Sequence, residues 1–175
     1  EVLSSYLGGV CVTIAFDQQG RIISACIDLD SAQLYLIDPV TLAPLAALDL
    51  PAKESGSATD FVAGSYFYLD HNDHVILPTI DRTVWELAIV EDGDGVRFEQ
   101  VQVYDLSMVI PETDSIGSVL PDFSGRFWFV TQGGIVGTLE PETGAISTLQ
   151  LEGEVITNSF AVDETGGVFI NSDYA

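Results

Sequence analysis

The sequence predicts an all-β fold assembled from repeats of four antiparallel strands, and three observations carry that prediction. A four-residue turn flanked by apolar runs recurs at residues 17–20, 70–73, 122–125 and 163–166. Its copies start 53, 52 and 41 residues apart, which is the spacing of an array of supersecondary units. Patterns of helical period are confined to two short stretches, 2–7 and 105–110.

The elements follow in order. Runs rich in Val, Ile, Phe and Tyr precede and follow each turn, so every unit opens with a β-hairpin. Behind the first hairpin comes the strand pattern Gln33-Leu34-Tyr35-Leu36-Ile37, then Asp38-Pro39-Val40-Thr41, then a second apolar run. The third unit repeats this with Ile135 to Leu139, then Glu140-Pro141-Glu142-Thr143-Gly144. Pro presets φ for a turn and Gly144 can take positive φ, so these strands must double back. In the second unit the corresponding connection carries Glu91, Asp92 and Asp94, and reads as an enlarged loop between outer strands.

Four antiparallel strands every 40 to 50 residues define the blades of a β-propeller. The units run approximately 10–55, 60–106, 116–153 and 157–175 within a single domain. A ring closes with typically four to eight blades. Three units and one further hairpin make about three and a half blades of a larger ring, so the remaining blades are expected from the same or a second chain.

In three copies the turn reads Asp-x-x-Gly: Asp17 to Gly20, Asp122 to Gly125 and Asp163 to Gly166. The pattern resembles bacterial propellers of the NHL, YVTN and gluconolactonase-like (regucalcin-like) kind, over nearly the whole chain from about Val10. The resemblance implies the fold. It leaves function open, because propellers host hydrolases, oxidoreductases and binding modules alike.

Composition narrows the partners. The 175 residues hold 27 Asp and Glu against 5 Lys and Arg, for a formal net charge of -22, with 47% hydrophobic residues and a mean hydropathy of +0.31. A nucleic-acid binder needs clustered Lys and Arg, and here Arg21, Lys53, Arg82, Arg97 and Arg126 are scattered singly. Neither nucleic acid nor membrane insertion is expected; no run approaches the ~18 apolar residues of a span. Such acidity suits a secreted protein kept soluble, adaptation to salt, or cation binding.

The cysteines bear on compartment. Pairing Phe16 with Arg21 across the first turn sets Cys11 opposite Cys26, at a non-hydrogen-bonded pair where side chains approach closely. That position permits a disulfide; the alternative is two small buried thiols beside Thr13, Ala15 and Ser24. The bridge is the favoured reading, and it fits an oxidising, extracellular or periplasmic setting.

Candidate chemistry is sparse. His71 and His74 fall in an inner hairpin turn and read as solvated turn residues. Glu91, Asp92 and Asp94 lack the further ligands of an EF-hand calcium loop. The stretch from Asn158 to Asp173 resembles that of regucalcin and gluconolactonase-like enzymes, in which an Asn opens the innermost strand and an Asp ends the next. The resemblance implies that Asn158 and Asp173 bind a divalent metal, with Asp173 also serving as general base. Pairing Val162 with Gly167 returns both to one rim, where Asp60 and Asp114 would add oxygen ligands suited to calcium, near Asp28, Asp81 and Gln132.

Two functions are therefore expected. The first is a non-catalytic extracytoplasmic module whose face binds a small polar ligand or a protein. The second is a divalent-metal-dependent lactonase or esterase with its ion in the central channel.

Overall fold

The computed structural model describes residues 10–27, 31–50, 67–151 and 156–172, and among them the chain forms strands and turns with no helix. The first sheet holds β1 (Val10–Phe16), β2 (Ile22–Ile27), β3 (Ala32–Ile37) and β4 (Pro44–Asp49) in sequence order. The second holds β5 (Tyr68–Leu69), β6 (Val75–Pro78), β7 (Thr83–Asp92) and β8 (Gly95–Asp105). The third holds β9 (Ile116–Pro121), β10 (Phe127–Thr131), β11 (Ile135–Glu140) and β12 (Ala145–Gln150). A last hairpin pairs β13 (Ile156–Val162) with β14 (Val168–Ser172). Every pairing is antiparallel between consecutive strands, which is the construction of propeller blades.

The recurring turn has one geometry in all four copies. Its Asp amide donates to the carbonyl four residues on, at 3.1, 3.0, 2.8 and 2.9 Å for Asp17, Asp70, Asp122 and Asp163. The fourth residue has positive φ: Gly20 78°, Asp73 63°, Gly125 87° and Gly166 83°. A left-handed residue there lets the chain re-enter the ladder after three loop residues. Oδ1 of each Asp then accepts two amides, from the second and fourth residues beyond it. Asp suits this pattern because its short side-chain acceptor can satisfy amides that no strand reaches.

This geometry corrects the predicted register. Phe16 pairs with Ile22, not Arg21, and Val162 with Val168, not Gly167, because the positive-φ residue brings the fifth turn residue directly opposite the Asp. The register of β1 shifts again between Cys11 and Thr13, and that bulge restores Cys11 opposite Cys26. The two are joined in a disulfide with their Cα atoms 3.9 Å apart. The connection between β7 and β8 also differs from the expected enlarged loop. The strands run to Asp92 and Gly95 and leave a tight tip at Gly93 and Asp94. Asp92 takes the Asp94 amide at 2.9 Å and Arg97 at 2.6 Å, so a potential calcium ligand closes a hairpin instead.

Packing separates the two faces of each sheet. Val75 and Leu77 of β6 join Ile23, Leu34 and Leu36 of the first sheet, whereas Ile76 joins Val119, Phe127 and Phe129 of the third. The same alternation in β10 sends Phe127 and Phe129 toward the second sheet, and Val130 and Trp128 toward Val162, Val168 and Ile170. Period-two alternation with both faces apolar means that β6 and β10 are wedged between neighbouring blades, whereas the outer strands β4, β8 and β12 are largely exposed. Gly137 faces Phe129 across the ladder with its Cα under the ring, a place where no Cβ fits.

Candidate functional site

The rim expected to hold a metal is in part outside the described residues, which leave out Asp28, Asp60 and Asp173. Asn158 is the third residue of β13 and does not open that strand; it falls where the register with β14 shifts between Ile156 and Phe160. Asp114 and Gln132 are brought together beside a shallow cavity of about 400 Å³ that also meets Pro111, Thr113 and Gln150. Oδ1 of Asp114 is engaged by the amides of Ser115 and Gly133, both at 2.8 Å, so this carboxylate ties the loop before β9 to the turn after β10. Asp81 is exposed in the turn between β6 and β7.

A larger cavity of about 950 Å³ opens between the second and third blades on the opposite rim, where the repeated turns lie. Among the described residues its wall includes the carboxylates of Asp70, Glu86, Asp122, Glu140 and Glu142, the apolar surfaces of Leu69, Phe123 and Phe127, and no Lys or Arg. Phe127 stands edge-on to Tyr104, with centroids 5.6 Å apart and planes at 89°, which joins the wall to the core between the blades.

Two of these carboxylates, Asp70 and Glu86, meet His74 and Tyr104 of the same blade behind the wall. His74 precedes β6 by one residue, and its Nδ1 lies 2.7 Å from Glu86 Oε1 and 4.0 Å from Asp70 Oδ2. Tyr104 donates its hydroxyl to Glu86 Oε2 at 2.7 Å. Burial, then that hydrogen bond to Glu86, pushes the Tyr104 phenol far above its usual range, so it stays a donor. The side chains of His74, Glu86 and Asp70 are only 25%, 14% and 11% exposed. Solvation in the turn, expected of both histidines, therefore holds for exposed His71 and not for His74.

Comparison among the repeats gives this cluster its meaning. In the first and third copies the residue after the turn is Arg, and it pairs with the turn Asp: Arg21 with Asp17 at 2.6 Å, Arg126 with Asp122 at 2.9 Å. Asp122 also takes the Trp128 indole N–H at 3.0 Å. Burial acts to raise the Asp122 carboxyl, but hydrogen bonds from Ser124, Trp128 and the Arg126 amide hold it down at about 2. In the second copy His74 takes the Arg position. The sequence reading passed over Glu86 and Tyr104; the signal that could have found the cluster is His74 in the slot that Arg21 and Arg126 occupy.

The fold and rims define the class of protein: a β-propeller. No protein-family model matches the chain. Among solved structures, the chain is similar to the β-propeller domain of Cps50 (Swd1) from Myceliophteria thermophila, at 13% identity and a TM-score of 0.60, over 93% of this chain and 50% of that one. It is also similar to virginiamycin B lyase from Staphylococcus aureus, at 11% identity and a TM-score of 0.55, over 91% of this chain and 54% of that one. A protein of unknown function from Bacteroides caccae gives 12% identity and a TM-score of 0.61, over 94% and 56%. A curated relative, an uncharacterized protein from Archaeoglobus fulgidus, is 29% identical over 119 residues. The match spans 65% of this chain and 22% of that relative, and the chain spans about half the length of the three solved structures.

Proposed function

We propose that this chain forms part of an extracytoplasmic propeller module that binds a cationic ligand or a basic segment of a partner protein and performs no chemistry on it. The observation that carries this reading is the cavity between the second and third blades, whose wall, among the described residues, holds five carboxylates and two phenyl rings and no Lys or Arg. Carboxylates confer preference for positive charge, and Phe123, 80% exposed at the cavity mouth, offers a face for the stem of a Lys or Arg side chain. The Cys11–Cys26 bridge supports an oxidising compartment, extracellular or periplasmic. The remaining blades of the ring, from the same polypeptide or a second one, are the other partner of this reading.

The test is a titration of the full polypeptide with fluorescent hexapeptides rich in Arg or in Glu. The Arg peptide should bind, weaken as salt is raised, and lose at least tenfold in affinity when Glu140 and Glu142 are both changed to Lys. Equal affinity for the two peptides would sink the reading.

A metal-dependent lactonase or esterase is the second reading, favoured by the cavity beside Asp114 and Gln132. It requires calcium or another divalent ion held by Asn158, Asp173, Asp114 and Asp60, with Asp173 as base. Calorimetric calcium titration of chelator-stripped protein, repeated with Asn158→Ala and Asp173→Ala, separates the two readings: submillimolar binding lost in those variants supports the hydrolase.

A further inference from the structure

Within the second blade, one ligand atom each of Asp70, His74 and Glu86 lie within 4.8 Å of one another, Glu86 on β7 and the other two in the turn that feeds β6. A zinc ion held at about 2.0 to 2.2 Å by nitrogen and oxygen ligands places those atoms roughly 3.4 Å apart in a tetrahedron. The separations of 2.7 Å (His74 to Glu86) and 4.0 Å (His74 to Asp70) straddle that figure, so side-chain adjustments of under about 1 Å bring the three into line.

Charge points the same way. Two largely buried carboxylates face a single imidazole, and the described arginines are committed elsewhere. Arg21 pairs with Asp17 and Glu91, Arg97 with Asp92 and Glu99, and Arg126 with Asp122 and Glu140. Arg82 donates to the Ile110 carbonyl. The first and third blades neutralise the turn Asp with a permanent cation; the second offers a ligand instead. Oδ1 of Asp70 is fixed by the Asn72 and His74 amides, which aims the other oxygen at the imidazole. Tyr104 holds the second oxygen of Glu86, the outer-shell support that ligating carboxylates require.

We propose that Asp70, His74 and Glu86 form a three-ligand site for a divalent transition metal of the zinc type, with its open coordination position toward the cavity between the second and third blades. A mixed imidazole and carboxylate donor set favours zinc over calcium or magnesium, whose shells are built from oxygen alone. The site stands on these side chains and does not depend on what else the cavity binds; loss of peptide binding and loss of metal binding are separate readouts.

Calorimetry of the chelator-stripped full polypeptide with zinc chloride tests the site, with cobalt(II) as a spectroscopic stand-in. One equivalent of zinc should bind at least tenfold more tightly than calcium or magnesium, and cobalt should give the intense visible bands of a tetrahedral site. His74→Arg restores the residue of the first and third copies, so the blade keeps its ion pair with the turn Asp while zinc affinity falls at least a hundredfold. Tyr104→Phe should weaken zinc about tenfold, and His71→Ala should leave it unchanged. Absence of zinc binding, undiminished affinity in His74→Arg, or loss of binding on changing His71 would each overturn the proposal.

Discussion

At the scale of the residue, the turn aspartates play one structural part in all four copies, each accepting two amides of its own turn, and differ in what meets the second oxygen. Asp122 is the clearest structural case: its side chain is 4% exposed and hydrogen bonds from Ser124, Trp128 and Arg126 hold its carboxyl at about 2. A carboxyl depressed on folding contributes stability above its unfolded value, near 3.8, and loses it as the pH falls toward 2. Asp122→Asn should therefore lower the unfolding free energy by about 2 kcal/mol at pH 7. In urea titrations the gap between variant and parent should close between pH 4 and pH 2; a gap of constant size would show that the charge contributes nothing. The same Asp position was legible in the sequence because its spacing repeats. The role of His74 was not, since its partner Glu86 is 12 residues away and becomes a neighbour only through the pairing of β6 with β7.

At the scale of the element, hairpin register separates what the sequence makes visible from what it hides. The Cys11–Cys26 pair was legible, yet by a route that differs from the observed one. The turn is one residue shorter than its apolar bracket suggests, and a bulge near Val12 compensates. Both features depend on backbone conformation, Gly20 at a φ of 78° and an extra residue in β1, which alternation of apolar residues does not report. The bridge spans 15 residues within one hairpin. In the chain-entropy account such a loop contributes at most about 3 kcal/mol, and less where the hairpin already forms locally. Reduction should lower the urea midpoint of the folded protein, with the slope of the transition preserved; an unchanged midpoint would remove the bridge from the list of stabilising features. The connection at Gly93 and Asp94 was legible as a solvated hairpin tip but not in its size, because a run of acidic residues suggests a longer loop even where the strands pair up to Asp92 and Gly95.

At the scale of the whole molecule, the core is divided. Ile23 belongs to the cluster between the first and second blades, and Ile116 to the cluster between the second and third. Ile→Val at either position should cost about 1 kcal/mol, and the double variant should equal the sum of the two within about 0.5 kcal/mol, since distant sites without shared partners add. A larger deviation in denaturant titrations would mean that the second blade transmits strain from one interface to the other. This division also explains why repeat number and strand content were readable at the outset: each blade buries its faces against its neighbours, so the apolar pattern recurs with every unit. The long hairpin of β7 and β8 departs from that economy. Its far end, Gly93 and Asp94, is exposed and belongs to none of the three clusters. An exposed tip of small and polar residues is where foreign sequence can be spliced in with least disturbance. A reporter or affinity tag placed between Gly93 and Asp94 would extend from the outer hairpin of the second blade and give an experimental handle on a chain with 27 acidic residues against 5 basic ones.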